Sequence, residues 1–173
     1  YGKDVKVDFE KITATIATFE KTLVTPSKFD DYLNGNEKAL SKEEKEGLNT
    51  FIDKGCASCH TGIALGGTMQ PFELAAKYKF MNVGDFKGDA QGMIKTPTLR
   101  NITETAPYFH NGQIWSLNDA VKEMGSVQLG IVISDSEATS IVTFLKTLKG
   151  VKPDISYPQL PESTINTAKP EFN

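Results

Sequence analysis

The chain has 173 residues, of which 39% are hydrophobic and 24% are charged, with a formal net charge of −3. These values suit one soluble globular domain with extensions and provide enough apolar material for a core. Lysine and arginine do not cluster, and no apolar run approaches the roughly 20 residues of a membrane-spanning helix, so the sequence argues against nucleic acid as a partner and against a membrane span.

The N-terminal region predicts one helix followed by a linker. Between residues 4 and 24, apolar residues recur at steps of three and four, which indicates a helix with a single apolar stripe. The stripe consists of Phe9, Ile12, Ile16, Phe19 and Leu23. Pro26 ends this helix. We expect residues 27–40 to form an irregular linker with a turn at Asn34-Gly35.

A second helix is predicted to begin at Ser41. Ser41 and Glu44 form a capping-box pattern, and an apolar face with Phe51 follows. Gly47 lies in the middle of this helix, where glycine costs up to about 1 kcal/mol relative to alanine. We interpret Gly47 as permitting a close crossing by the last helix, with Phe144 as its neighbour.

Residues 61–98 are rich in glycine and predict a long loop. Within it we expect a short helix at 72–79 and no convincing strand. A loop of this length is unusual in a compact domain. It is reasonable if the loop wraps around a large prosthetic group that takes the place of part of the core.

Two more helices and a tail complete the prediction. The third helix begins at Ser116 and reaches Met124, and the last runs from about residue 135 to 149, with a capping box at Ser134 and Glu137. Residues 151–173 contain four prolines and are expected to be irregular. The sequence therefore predicts an all-α fold with an N-terminal helical extension and an irregular C-terminal tail.

The two cysteines of the chain, Cys56 and Cys59, are followed directly by His60. C-x-x-C-H is the attachment signature of c-type haem, because two thiols at this spacing reach the two vinyl groups of the porphyrin and the adjacent imidazole reaches the iron. A redox dithiol would be expected after a strand, whereas a helix precedes this motif. Half of a structural metal site would need further ligands, and His110 is the only other histidine. The motif predicts one covalent haem c.

The second axial ligand of the iron has several candidates. A thioether favours ferrous iron and raises the reduction potential, whereas a second imidazole favours ferric iron. Met124 is favoured, because it lies beyond the long loop and shortly before the last helix. Met69, Met81 and Met93 are expected to fill gaps in the packing. His110 is expected to be a hydrogen-bonded structural histidine.

Several segments occur in an order and spacing that resemble the C-terminal haem domain of bacterial di-haem cytochrome c peroxidases, a family that includes the MauG-type enzymes. The resemblance extends from about residue 9 to residue 150. The main segments are Gly55-Cys-Ala-Ser-Cys-His-Thr-Gly62, Pro97-Thr-Leu-Arg-Asn-Ile102, Thr105-Ala-Pro-Tyr-Phe-His-Asn-Gly112, Ala120-Val-Lys-Glu-Met124, Gln128-Leu-Gly130 and Phe144-Leu-Lys-Thr-Leu148. It also includes Leu23-Val-Thr-Pro26 and Phe29-Asp-Asp-Tyr32.

The resemblance implies roles for individual residues. Cys56 and Cys59 hold the haem, His60 is its proximal ligand and Met124 its distal ligand, in what is the high-potential, electron-accepting haem of the family. The family also binds calcium between its two haem domains, where backbone carbonyls matching Thr105 and Pro107 contribute. Arg100 resembles a family arginine and is expected to pair either with a haem propionate or in a surface ion pair.

The N-terminal domain of the family has its own C-x-x-C-H motif, and its haem reacts with hydrogen peroxide. The present sequence has no second C-x-x-C-H motif. Because the chain starts at Tyr1 rather than Met, we expect something upstream to have been removed. We predict that residues 1–40 face that N-terminal domain, that residues 41–150 form the haem domain and that residues 151–173 form the tail.

The resemblance implies that the chain is the second half of a periplasmic peroxidase, and we expect it to be inactive alone, with no catalytic residue of its own. The resemblance implies a small cytochrome c or a copper protein as electron donor, and a homodimer. The alternative is a free-standing mono-haem cytochrome c that carries electrons and catalyses nothing.

Overall fold

The computed structural model describes residues 6–81, 88–157, 159 and 162–167. These residues contain five α-helices and one two-stranded antiparallel sheet. The helices are α1 (Phe9–Glu20), α2 (Lys28–Leu33), α3 (Lys42–Asp53), α4 (Leu117–Leu129) and α5 (Asp135–Leu145), and the strands are β1 (Met69–Pro71) and β2 (Met93–Lys95). The predicted all-α class is confirmed, since the sheet has only three residues in each strand.

Helices α3 and α5 begin as the sequence predicts. The Ser41 side chain accepts from the Glu44 backbone N–H, and the Glu44 carboxylate accepts from the Ser41 N–H at 2.7 Å. Ser134 and Glu137 form the same reciprocal pair at the start of α5. Each capping box satisfies two backbone donors that the first helical turn would otherwise leave unpaired.

Helices α3 and α5 cross in close contact at Gly47. A Cβ atom built on Gly47 would lie 2.2 Å from the Ser140 carbonyl oxygen and 3.0 Å from Cβ of Phe144. The predicted close crossing is therefore confirmed. Phe144 is completely buried, and its ring packs against those of Phe29 and Phe51 at 5.3 Å between centroids. The crossing is the centre of the core and sets the distance between the two helices.

The linker and the end of the third helix differ from the predictions. Residues 27–40 contain α2, which begins with a capping box between Ser27 and Asp30. Helix α4 continues to Leu129, one turn past the predicted end, and stops at Gly130, whose φ of 65° is the left-handed conformation that closes many helices. The last helix agrees with its prediction, because a 3₁₀ turn at Lys146–Leu148 extends α5.

The glycine-rich loop also differs from its prediction. Residues 72–79 do not form a helix, because the backbone N–H groups of Ala75 and Ala76 both donate to the Val127 carbonyl of α4. The expectation of no strand is wrong as well, since Met69–Pro71 pairs with Met93–Lys95. Gly84 lies outside the described residues. The segment is thus held to α4 and to itself, as a loop that wraps a core would be.

Helix α1 is shorter than the predicted 4–24 and has no buried residue; residues 4 and 5 lie outside the described part. Its apolar stripe faces solvent, with Phe9 81% exposed and Ile16 and Phe19 each 52% exposed. No helix of the described residues is long and apolar enough to cross a membrane. In the tail from residue 151, the described residues form no helix or strand, and Pro158, Pro161 and Pro170 lie outside the described part.

Candidate haem site

A cavity of about 950 Å³, partly open to solvent, lies between the C-terminal end of α3 and the helices α4 and α5. This volume includes the solvent-filled space at its open side. Its lining is mainly apolar and aromatic and includes Phe51, Leu99, Ile102, Tyr108, Phe109, Val121, Ile141 and Leu145. A large, flat, hydrophobic group suits such a cavity.

The C-x-x-C-H motif contributes one wall of this cavity. Gly55 ends α3 in the left-handed conformation, with φ of 82°, and a 3₁₀ turn at Cys56–Ser58 follows. The His60 N–H donates to the Cys56 carbonyl at 3.1 Å, which keeps the motif in a tight turn. Cys56, Cys59 and His60 all line the cavity, so both thiols and the imidazole lie at the same space.

The imidazole of His60 has a defined tautomer. Nδ1 lies 3.2 Å from the Leu65 carbonyl oxygen, and since a carbonyl only accepts, Nδ1 carries the proton. Nε2 therefore keeps its lone pair, as an iron ligand must. Burial lowers the pKa of His60 below its usual value, although hydrogen bonds to the Leu65 and Pro97 carbonyls oppose this. Burial therefore favours the neutral ring, which is the form of histidine that binds a metal ion.

Met124 is the methionine that lines the cavity. It lies on α4, which also contributes Leu117, Ala120 and Gly125 to the same lining. Met69 and Met93 lie in the two strands, Met81 is 43% exposed, and none of these three lines the cavity. His110 is exposed, packs edge-on against the Tyr78 ring and does not line the cavity either. Met124 as the distal ligand remains a prediction, supported by this placement.

The donor set and the cavity fit a covalently attached haem: two thiols, one imidazole and one thioether line a mainly apolar space. The family model of cytochrome c matches residues 44–149. The chain belongs to the cytochrome c family. Its match covers α3, the wrapping loop, α4 and α5, so the predicted cytochrome c-type fold and its haem c are confirmed.

The relatives of this cytochrome c domain define its branch of the family. It is 43% identical over 176 residues to cytochrome c551 peroxidase of Pseudomonas aeruginosa, covering 95% of this chain and 51% of the relative. It is also 43% identical to cytochrome c551 peroxidase of Nitrosomonas europaea, covering 98% of this chain and 53% of the relative. These similarities place it in the di-haem cytochrome c peroxidase family, as its sequence motifs indicate. The chain spans about half the length of these relatives.

A solved structure agrees on the fold. The crystal structure of a MauG-like protein associated with microbial copper homeostasis superimposes with a TM-score of 0.56 at 22% sequence identity. The superposition covers 87% of this cytochrome c domain and 60% of that chain. At this identity the likeness concerns the fold alone.

Arg100 does not line the haem cavity of the cytochrome c domain. Its Nη1 and Nη2 donate to the two carboxylate oxygens of Asp30 at 2.8 and 2.6 Å, and its Nε donates to the Ile63 carbonyl at 2.6 Å. The hydrogen bonds from Arg100 lower the pKa of Asp30 to about 2. The structure thus shows an ion pair, and the alternative pairing of Arg100 with a haem propionate stays a prediction.

The two predicted calcium donors lie near the cavity but outside its lining. Thr105 and Pro107 are exposed and follow a 3₁₀ turn at Ile102–Glu104, close in sequence to Tyr108 and Phe109 of the cavity wall. Within the part of the chain that the structure describes, no group of three or more His, Cys, Asp or Glu residues could hold a metal ion. Any cation here would depend on backbone oxygens and on atoms from elsewhere.

Sequence reasoning did not identify the long-range hydrogen bonds of the loop that follows the C-x-x-C-H motif. Asp30 pairs with Arg100 across 70 residues, and the Thr98 hydroxyl donates to the Ala64 carbonyl at 2.6 Å across 34 residues. Only the Ser27–Asp30 spacing offered a signal, since Ser-x-x-Asp is a capping pattern. The Thr98 contact has no local signature, because it depends on how the loop folds back.

Proposed function

We propose that this cytochrome c domain is the electron-accepting domain of a di-haem cytochrome c peroxidase. It takes single electrons from a small cytochrome c or a copper protein and passes them to a peroxidatic haem in a second, N-terminal domain, where hydrogen peroxide is reduced to water. The observation that carries the proposal is the placement of His60 and Met124 at one apolar cavity, because imidazole and thioether ligation suits a high-potential electron acceptor.

The residues of this chain have distinct tasks in that role. Cys56 and Cys59 would hold the haem covalently, and His60 and Met124 would bind its iron from Nε2 and the thioether sulfur. When bound, haem supplies reversible one-electron chemistry. The Leu65 carbonyl orients His60, and the apolar walls from Leu99, Ile102 and α5 keep water away. Because His60 and Met124 would both bind the iron, peroxide would have no place to bind, and we expect the chain alone to be inactive.

The proposal is tested on the haem-loaded chain. We expect it to accept one electron per molecule from a reduced small c-type cytochrome. We expect it to consume hydrogen peroxide negligibly, because His60 and Met124 would both bind the iron and leave no position for peroxide. Stopped-flow absorbance at the Soret band measures both reactions, with a full-length di-haem relative as positive control. Peroxide turnover by the chain at a rate near that of the control would contradict the proposal.

The alternative function is a free-standing mono-haem electron carrier, and the sequence of the source polypeptide distinguishes it from the peroxidase domain. A second C-x-x-C-H in that polypeptide supports the peroxidase domain, and a mature protein with one haem supports the carrier. The exposed stripe of α1 favours the first, because a helix with Phe9 81% exposed and no buried residue needs a partner surface. We further propose that the protein acts in the periplasm and forms homodimers, as its sequence resemblance to the di-haem peroxidase family implies. Analytical ultracentrifugation of the haem-loaded protein measures its oligomeric state.

Calcium is proposed to bind at the interface with the second domain. The backbone carbonyls of Thr105 and Pro107 would supply two ligands, whereas calcium takes six to eight oxygens. We expect the isolated chain to bind calcium weakly, more weakly than a full-length relative, because most ligands are not its own. Titration calorimetry of both proteins checks this, and tight binding by the isolated chain would contradict it.

A further inference from the structure

Three successive backbone carbonyls next to the haem motif accept hydrogen bonds from three different side chains. The Ile63 carbonyl accepts from Nε of Arg100 at 2.6 Å, and the Ala64 carbonyl accepts from the Thr98 hydroxyl at 2.6 Å. The next one, of Leu65, accepts from Nδ1 of His60 at 3.2 Å. The Leu65 carbonyl, which orients the imidazole, therefore directly follows two carbonyls that accept hydrogen bonds from side chains outside the C-x-x-C-H motif.

The backbone around Leu65 needs such support. Leu65 has φ of 49°, a left-handed conformation that side-chain-bearing residues rarely adopt. Its carbonyl also accepts from the Leu99 N–H at 3.2 Å. At Gly66, a Cβ atom would lie 2.3 Å from the Pro97 carbonyl oxygen, so the two loop segments touch backbone to backbone. A conformation of this kind persists where surrounding contacts fix it.

The first of the three side chains is itself fixed. Asp30 holds the Arg100 guanidinium by a bidentate pair, the geometry in which arginine is most strongly oriented. Asp30 in turn accepts from the backbone N–H and the hydroxyl of Ser27 at the start of α2. Only 16% of the Arg100 side chain is exposed. Asp30 of α2 thus fixes the orientation in which the Arg100 Nε donates to the Ile63 carbonyl.

We propose that Thr98 and Arg100 are positioning residues that set the strength of the hydrogen bond from His60 to the Leu65 carbonyl, and through it the reduction potential of the haem. The inference rests on the proposed function of His60 as proximal ligand. A strong hydrogen bond at Nδ1 increases the electron donation of the imidazole and stabilises the ferric state. Loosening residues 63–65 weakens that bond, lowers the donation and raises the potential.

Two variants test this without a change of net charge. Thr98→Val deletes an exposed hydroxyl and its bond to Ala64, and Arg100→Lys keeps the positive charge but loses the planar fork that serves Asp30 and Ile63 together. Because the charge is kept, a shift cannot come from the loss of a charge near the iron. Thr103→Val is the matched control, since its hydroxyl donates to the Glu104 carboxylate instead.

The haem-loaded chain is measured in two ways. Redox titration should show the equilibrium constant for reduction rising in both variants, by up to about tenfold, which is ~59 mV for one electron. In the ferrous low-spin state, the Nδ1–H proton of His60 should exchange with solvent several-fold faster by nitrogen-15 NMR, because its acceptor is less well held. Thr103→Val should change neither quantity.

The outcomes separate this inference from the proposed function. If both variants fold, as judged by circular dichroism, and leave the potential and the Nδ1–H exchange unchanged, the inference is overturned. If Arg100→Lys does not fold, Thr98→Val decides alone, since its side chain is exposed. If His60 is not the proximal ligand, the unmutated protein lacks the strongly ring-current-shifted imidazole signals, and the proposed function itself fails.

Discussion

Replacing Met124 by alanine should give the haem-loaded chain a slow consumption of hydrogen peroxide, which we expect to be negligible in the unmutated chain. Met124 is the methionine of the cavity lining, and we propose that its thioether is the second ligand of the iron, together with His60. Without it, peroxide and carbon monoxide gain access. We expect peroxide consumption to rise at least about tenfold, the effect of ~1.4 kcal/mol on a barrier. The potential should fall by on the order of 0.1 V, since axial ligands move haem potentials over about 0.8 V.

Two further variants define what the loss of Met124 does. Met124→His should keep both axial positions filled, exclude peroxide and lower the potential, because imidazole favours ferric iron more than a thioether does. Met81→Ala is the matched control, because Met81 is 43% exposed and outside the cavity lining. The Soret band after mixing with peroxide, and carbon monoxide binding to the reduced protein, measure access. Equal peroxide turnover by the unmutated chain and Met124→Ala would show that Met124 does not close the site.

Replacing Gly47 by alanine should destabilise the domain, although alanine is the better helix former by about 1 kcal/mol. The new Cβ would lie 2.2 Å from the Ser140 carbonyl oxygen, which is backbone and cannot rotate away. Helices α3 and α5 must then separate, and the packing of Phe144 loosens. We expect a loss of about 2 kcal/mol of unfolding free energy, or roughly 4–8 °C in Tm for a chain of this size.

A decrease in Tm on Gly47→Ala, rather than the increase expected from helix propensity, would show that α3 and α5 need the close contact at Gly47. Asn49→Ala, at an exposed position of the same helix, should leave the Tm unchanged or raise it slightly, because it gains helix propensity and meets no neighbour. Thermal unfolding of the haem-loaded protein, followed by far-ultraviolet circular dichroism, gives both Tm values. A higher Tm for Gly47→Ala would mean that the two helices separate without cost.

Local sequence signals predicted the elements whose boundaries are set locally. Ser41 with Glu44, and Ser134 with Glu137, place the starts of α3 and α5, because capping uses residues three apart. The same pattern at Ser27 and Asp30 starts α2, which the sequence prediction assigned to an irregular linker. A helix of six residues presents too little periodicity to be recognised from its apolar residues alone.

The elements that the sequence did not predict depend on contacts distant in the chain. Residues 72–79 give their backbone donors at Ala75 and Ala76 to α4, about 50 residues away, rather than to a helix of their own. The three-residue strands pair across the loop and are too short for an alternating pattern. In the site, the C-x-x-C-H motif predicted a group of residues that together line the cavity, whereas the pairing of Arg100 with Asp30 has no signature in the sequence.

If a partner surface covers the exposed stripe of α1, the order of this helix depends on that association. A helix of 12 residues with no buried residue is marginal in water, since nucleation is unfavourable and packing supplies most helical stability. None of the residues of α1 is buried, so the surface that covers Phe9, Ile12 and Ile16 would also supply the free energy that keeps the helix formed. Part of the binding free energy then offsets the cost of ordering the helix, which lowers the affinity of the contact. Amide hydrogen exchange in α1 would therefore report docking directly, as protection that appears only when the partner is present.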